Sequence, residues 1–124
     1  EVRAHLQKSK DPFTLIYRGE PVVTIDKACK GSGSRSMEVV LSALLELNDI
    51  PGVTIAGFET DGTAANTDAA GAIGESGSID TESARIALLA HNTYPFFKKT
   101  GGLITTGPTG NNVCDIYIAY INPK

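Results

Sequence analysis

Met37, Val40, Leu41, Leu44 and Leu45 recur at steps of three and four, which predicts one amphipathic helix over Ser36 to Leu47. A lone stripe of this strength needs something other than a helix bundle to bury it. The short β-branched and aromatic runs around it supply that partner. Phe13 to Tyr17 and Pro21 to Ile25 read as two strands separated by a turn or bulge at Arg18-Gly19-Glu20. Val53 to Phe58 reads as a third, after the break at Pro51-Gly52, while Leu103 to Thr105 and Asp115 to Ile121 flank the turn Gly107-Pro108-Thr109-Gly110. Asp80 or Thr81 can cap a helix running to about Ala90. Pro95 suits the first turn of another, carrying Phe96 and Phe97 and stopped by Gly101-Gly102. Residues 59 to 79 lack a period and read as a long ordered loop. The expectation is one α/β domain over residues 13–124, a mixed β-sheet with packed helices, preceded by a helical or linker segment at 1–12.

Length and charge narrow the class. A chain of 124 residues suits one core. Eleven basic against fourteen acidic side chains give a net charge of −3, which argues against a nucleic-acid partner. The most apolar stretch, Val39 to Leu47, is far shorter than the roughly 20 residues of a membrane span, so no membrane partner is expected. Glu1 to Lys10 has no apolar stretch of the secretory kind. Cys29 and Cys114 stand far apart without CxxC or histidine spacing, which fits reduced thiols and a cytoplasmic setting better than a disulfide or structural zinc.

Three polar, glycine-containing loops occupy the positions where chemistry usually sits. In the first, Lys30-Gly31-Ser32-Gly33-Ser34-Arg35 leads into the strongest helix, where bare amides and the positive helix end favour an anion. Arg35 adds a fork able to hold two phosphate oxygens, and Lys30 a point charge; a solvated turn is the equal alternative. Arg35 sits on a loop, so Arg35→Ala is expected to leave the fold intact. Gly31, Gly33 and Ser36, with Glu59 after the next strand, also approximate a dinucleotide fingerprint, although Ser36 replaces its third glycine and Lys27 and Lys30 interrupt the strand before it. The second loop puts Asp61, Gly62, Thr63, Thr67 and Asp68 beyond a strand, an oxygen set suited to Mg²⁺ or a hydroxyl substrate. Turn formation by Asp61 and capping by Asp68 is the commoner role for such residues. The third, Thr105 to Asn112, offers hydroxyls and amides for phosphate, sugar or carboxylate oxygens, or is a plain hairpin link. His5 and His91 show no partner at catalytic or metal spacing, and no serine or cysteine sits in a nucleophile elbow.

Taken together, Gly19-Glu20, GSGSRSMEVV, TDGTAANTDAAGAI, NTYPFF and TTGPTGNNVCDIYI resemble, in order and spacing, the MOFRL domain of two-domain glycerate 2-kinases. Some members of that family carry the older label hydroxypyruvate reductase. The resemblance implies ATP-dependent phosphorylation of D-glycerate, in a cleft between this domain and a larger Rossmann-like N-terminal domain in cis or on a separate chain. It implies ATP and Mg²⁺ as cofactors and a glycerate-like small molecule as substrate. The family's GGRNQE segment falls on Gly33 to Glu38, which makes Arg35 the functional arginine and Glu38 the glutamate. Asp61, Gly62, Thr67 and Asp68 match the second motif, and Thr106, Gly107, Thr109, Gly110 and Asn112 the third. Arg35, Asp61 and Asp68 are then the catalytic candidates, with Asp61 and Asp68 either holding Mg²⁺ or orienting the acceptor hydroxyl. Lys30, Gly31, Gly33, Ser34, Glu38, Gly62, Thr67 and the third-loop residues would bind substrate or phosphate. Ser36 and Met37 replace the family's Asn and Gln, Ala64-Ala65-Asn66 replaces Asp-Gly-Pro, and Cys114 replaces Asn. Those departures motivate an alternative, a non-catalytic module for oligomerisation or metabolite sensing, and a reductase is the remaining rival.

Overall fold

The apolar stripe becomes helix α2 (Arg35–Glu46), with Met37, Val40, Leu41 and Leu44 wholly buried. Its start is fixed by Ser34, whose Oγ accepts the Met37 N–H at 3.3 Å, satisfying one of the helix's orphan donors. In this computed structural model, which describes residues 1–123, α2 lies across a five-stranded sheet. Its strands are β1 (Phe13–Gly19), β2 (Val53–Glu59), β3 (Gly71–Glu75), β4 (Leu103–Ile104) and β5 (Asp115–Ile121), in the order β1-β5-β2-β3-β4. Along β2 the buried Val53, Ile55 and Gly57 alternate with part-exposed Thr54, Ala56 and Phe58, the period of a strand with one covered face. Helices α3 (Thr81–Leu89) and α4 (Thr93–Thr100) complete the core through Ala84, Ala87 and Phe97. The Asp80 side chain caps α3 at Glu82 N–H, and left-handed Gly101 ends α4. A short helix α1 (Val2–Leu6) precedes β1 and is tied to α2 by Arg3, which bonds Asp49 and the Glu46 carbonyl.

The single α/β domain with helices on one sheet is as the sequence predicts, but the pairing is antiparallel throughout rather than mixed. β1 and β2 do run parallel, joined through α2 as a crossover unit. β5 lies between them and opposes both, so no parallel pair ever touches. Two strand assignments also change. Residues 21–25 form no strand, because β5 begins at Asp115, opposite Gly19, and the next residues have no neighbour to pair with. Pro21 also lacks the N–H a ladder needs. Conversely, the region read as loop contains β3, whose Gly-Ala-Ile-Gly-Glu sequence carries little strand propensity and pairs because β2 presents an edge to it.

Candidate functional site

Three element ends meet at one end of the sheet. β2 finishes at Glu59 and β5 starts at Asp115, and the two are register partners. α2 starts there as well, and its first residue, Arg35, reaches down to Asp115. Arg35 Nε lies 2.8 Å from Oδ2 and Nη2 3.1 Å from Oδ1, a two-pronged pair between residues 80 positions apart in sequence. Asp115 is 1% exposed and also accepts the Tyr117 hydroxyl at 3.1 Å. Arg35 Nη2 stands 3.5 Å from Glu20 as well. The bond to Asp115, above all, holds the guanidinium in its charged form. Half-buried Glu59 accepts from Ser36 Oγ at 3.4 Å, and Ser36 shares a hydrogen bond with Ser34 Oγ at 2.9 Å. Burial first, and Asp115 second, push the Glu59 carboxyl above its ordinary value. Burial likewise raises the Tyr117 hydroxyl. Gly33, Ser34, Arg35, Glu59 and Ala65 line a cavity of about 350 Å³ above this cluster.

The second and third loops are stitched to each other beside it. Thr60 Oγ1 donates to the Cys114 carbonyl and accepts the Val113 N–H, both at 2.8 Å. Thr109 donates through Oγ1 to the Thr60 carbonyl at 2.6 Å and through its N–H to the Asp61 carbonyl at 3.0 Å. Gly62 sits at φ +85°, where a Cβ would fall 2.0 Å from the Gly107 carbonyl oxygen, so only glycine lets the two backbones touch. Asp61 Oδ1 accepts the N–H of Thr63 at 3.0 Å. Thr106 donates to the Gly107 carbonyl, and Asn112 accepts the Cys114 N–H at 3.1 Å, which fixes the loop around Gly110.

Several sequence-level assignments change in this geometry. Arg35 does not offer a free fork: its Nε and Nη2 edge is occupied by Asp115, leaving Nη1 as the donor without a protein partner among the described residues. Gly31 and Gly33 are small in order to pack against the α3–α4 connection and the start of α4, where added Cβ atoms would lie 2.2 Å from the Ala90 carbonyl oxygen and 2.2 Å from Thr93 Oγ1. That removes the reason to read them as a dinucleotide fingerprint. Tyr94 N–H donates to the Ser32 carbonyl and Ser32 N–H to Asn92 Oδ1, at 2.9 Å each. Lys30 and Gly31 border a different cavity, with Cys29, Ala90, His91 and Asn92. Thr67 closes its own turn on the Ala64 carbonyl, and Asp68 accepts the Tyr94 hydroxyl at 2.6 Å. Asp68 therefore faces α4, whereas Asp61 abuts the third loop. Among the described residues no group of three or more His, Cys, Asp or Glu is placed to hold a metal ion. His91 does have a partner: its Nδ1 lies 2.6 Å from Glu38 Oε1.

Asp115, Tyr117 and the pairing of Glu38 with His91 are what sequence reasoning missed, and Glu59 entered it only as the acidic residue of a dinucleotide fingerprint. An acidic residue opening an apolar strand is a usable signal for Asp115, since a charge there must find a partner or stay wet. Nothing local identifies that partner as Arg35.

Comparison with known proteins agrees with this architecture. A family model described as the MOFRL family matches residues 13–115. The glycerate 2-kinase of Pyrococcus horikoshii is 40% identical over 121 residues, covering 91% of this chain and 26% of that protein. The D-glycerate 2-kinase of Thermotoga maritima is 39% identical over 126 residues, covering 98% of this chain and 30% of that protein. A crystal structure of glycerate kinase from Thermotoga maritima superposes with a TM-score of 0.80 at 36% identity, over 97% of this chain and 30% of that one. The chain thus spans less than a third of the length of these relatives.

Proposed function

This chain belongs to the MOFRL family, and on that premise we propose that it is the smaller part of a glycerate 2-kinase-like enzyme that transfers phosphate from ATP to D-glycerate. It would form one wall of the cleft, and a larger Rossmann-like domain, in cis or on another chain, the other. One observation carries the reading: the end of the first loop, the start of the second and the third meet where α2 begins, around the Arg35–Asp115 pair. Phosphoryl transfer asks a protein mainly for positioning and for donors aimed at the moving group. The main-chain N–H groups of Gly33, Ser34, Arg35 and Ser36 have no hydrogen-bond partner among the described residues, and Arg35 Nη1 stands beside them. That donor set fits phosphate oxygens.

ATP, when bound, supplies the phosphoryl group. Arg35 Nη1 and the amides at the start of α2 would hold its oxygens. The Thr109 loop would hold the acid, and Asp61 would orient its hydroxyl. Asp115 and Tyr117 keep Arg35 in place from beneath. Asp115, Glu20 and Glu59 outnumber the guanidinium's single charge, so this wall contributes oriented donors rather than net positive field, and the opposite wall has to bring cations. Asp61 and Asp68 face different neighbours and do not make a Mg²⁺ centre by themselves.

The test is a chimera in which this chain replaces the matching segment of the Pyrococcus horikoshii relative. The folded chimera should phosphorylate D-glycerate from ATP in a coupled assay. Arg35→Lys should lower kcat by about 10²–10³-fold, the usual loss on removing one preorganised donor. A folded chimera with no phosphate transfer would overturn the reading.

A further inference from the structure

Residues 21–25, Pro-Val-Val-Thr-Ile, are β-branched at four of five positions and form no helix, strand or turn. None of their main-chain groups takes part in a hydrogen bond among the described residues. Val22 is 91% exposed and Ile25 55%. The segment is nonetheless anchored at both ends, by Gly19 paired to Asp115 in the sheet and by the Asp26 turn, where the carbonyl accepts Cys29 N–H and Oδ1 accepts Ala28 N–H, each at 2.9 Å. It also borders the cavity that holds Arg35 and Glu59.

We propose that residues 21–25 are a strand whose ladder partner lies outside this chain, on a sheet edge of the larger domain that closes the cleft. The inference rests on the reading that such a domain completes the site. Four bare N–H groups, five bare carbonyls and exposed β-branched side chains are what an adjoining edge strand satisfies in β-augmentation. Pro21 stands first, the position at which a strand tolerates a missing donor. The relatives carry at least 70% of their length outside the matched region, more than enough for such a sheet. A second copy of this chain is the poorer occupant, because two five-residue segments paired only with each other make an isolated ribbon, marginal in water. Docking at 21–25 would set the larger domain directly over Arg35 and Glu59.

Amide hydrogen exchange on the 124-residue chain and on the chimera tests this. The Val22–Ile25 amides should exchange near unstructured rates in the chain alone and at least 100-fold more slowly in the chimera. Val23→Pro should leave the melting temperature of the chain alone unchanged and abolish that protection in the chimera. Should the chimera not fold, the same measurement on the matching segment of the intact Thermotoga maritima relative decides. Free exchange there overturns the proposal, as does concentration-dependent protection in the chain alone, which would mean self-pairing. Protection without phosphate transfer leaves the docking strand standing and removes the kinase reading. Phosphate transfer with unprotected amides does the reverse.

Discussion

Removing Arg35 tests the centre of the site and reverses the expectation that a loop arginine is dispensable. Arg35→Ala leaves Asp115, 1% exposed, with only the Tyr117 hydroxyl for company. Breaking a fully buried pair by deleting one partner costs about 3–5 kcal/mol. The Arg35 side chain is 37% exposed, so water can enter where it stood, and the expected loss falls to about 2–3 kcal/mol. For a domain of this size that is a fall in Tm of roughly 6–15 °C. Asp115→Asn strands the more exposed partner and keeps an acceptor, so it should cost less, about 1–2 kcal/mol. Urea unfolding of the two single variants and the double variant closes a thermodynamic cycle. The double variant should be more stable than the summed losses predict by about 1–2 kcal/mol. Additivity within about 0.5 kcal/mol would mean the two groups are neighbours without energetic coupling, and the account of Arg35 as anchored from beneath would fall.

Two further perturbations follow from the same region. The Glu59 carboxyl binds its proton more tightly in the folded state, chiefly through burial, so it favours folding at low pH and that contribution is lost as pH rises above the ordinary value of 4.5. Glu59→Gln should therefore be more stable than the parent at pH 7, with the gap closing toward pH 4; a pH-independent gap in thermal melts would rule out burial as the cause. Gly62→Ala should cost about 2–4 kcal/mol, combining the strain of a positive φ with backbone collision at the Gly107 carbonyl. A loss under about 0.5 kcal/mol in denaturant unfolding would show that the two loops can part freely.

What the sequence disclosed was mostly local. The α2 stripe, the cap at Asp80 and the stop at Gly101 are each decided within a few residues, and the structure reproduces them. What escaped was decided by encounters across the chain. β3 exists because β2 offers it an edge, and the expected parallel contact disappears because β5 arrives between β1 and β2. Gly31 and Gly33 looked like ligand contacts, yet their missing side chains make room for Ala90 and Thr93, about sixty residues onward. His91 seemed partnerless for the same reason, its neighbour Glu38 lying 53 positions away. The motifs could say which loops to look at. They could not say that a buried carboxylate at the foot of β5 holds the arginine.

The position of β5 has a consequence for biogenesis. An interior strand of the sheet, β5, is the last of the five to be synthesised, so a nascent chain that has not yet exposed it carries β1 and the β2–β3 hairpin as two separate pieces with open edges. Closure waits until residue 121 clears the exit tunnel and, with β1 and β5 partners about a hundred residues apart, is slow. During that interval the apolar strand edges are exposed to chaperones and to other nascent chains alike.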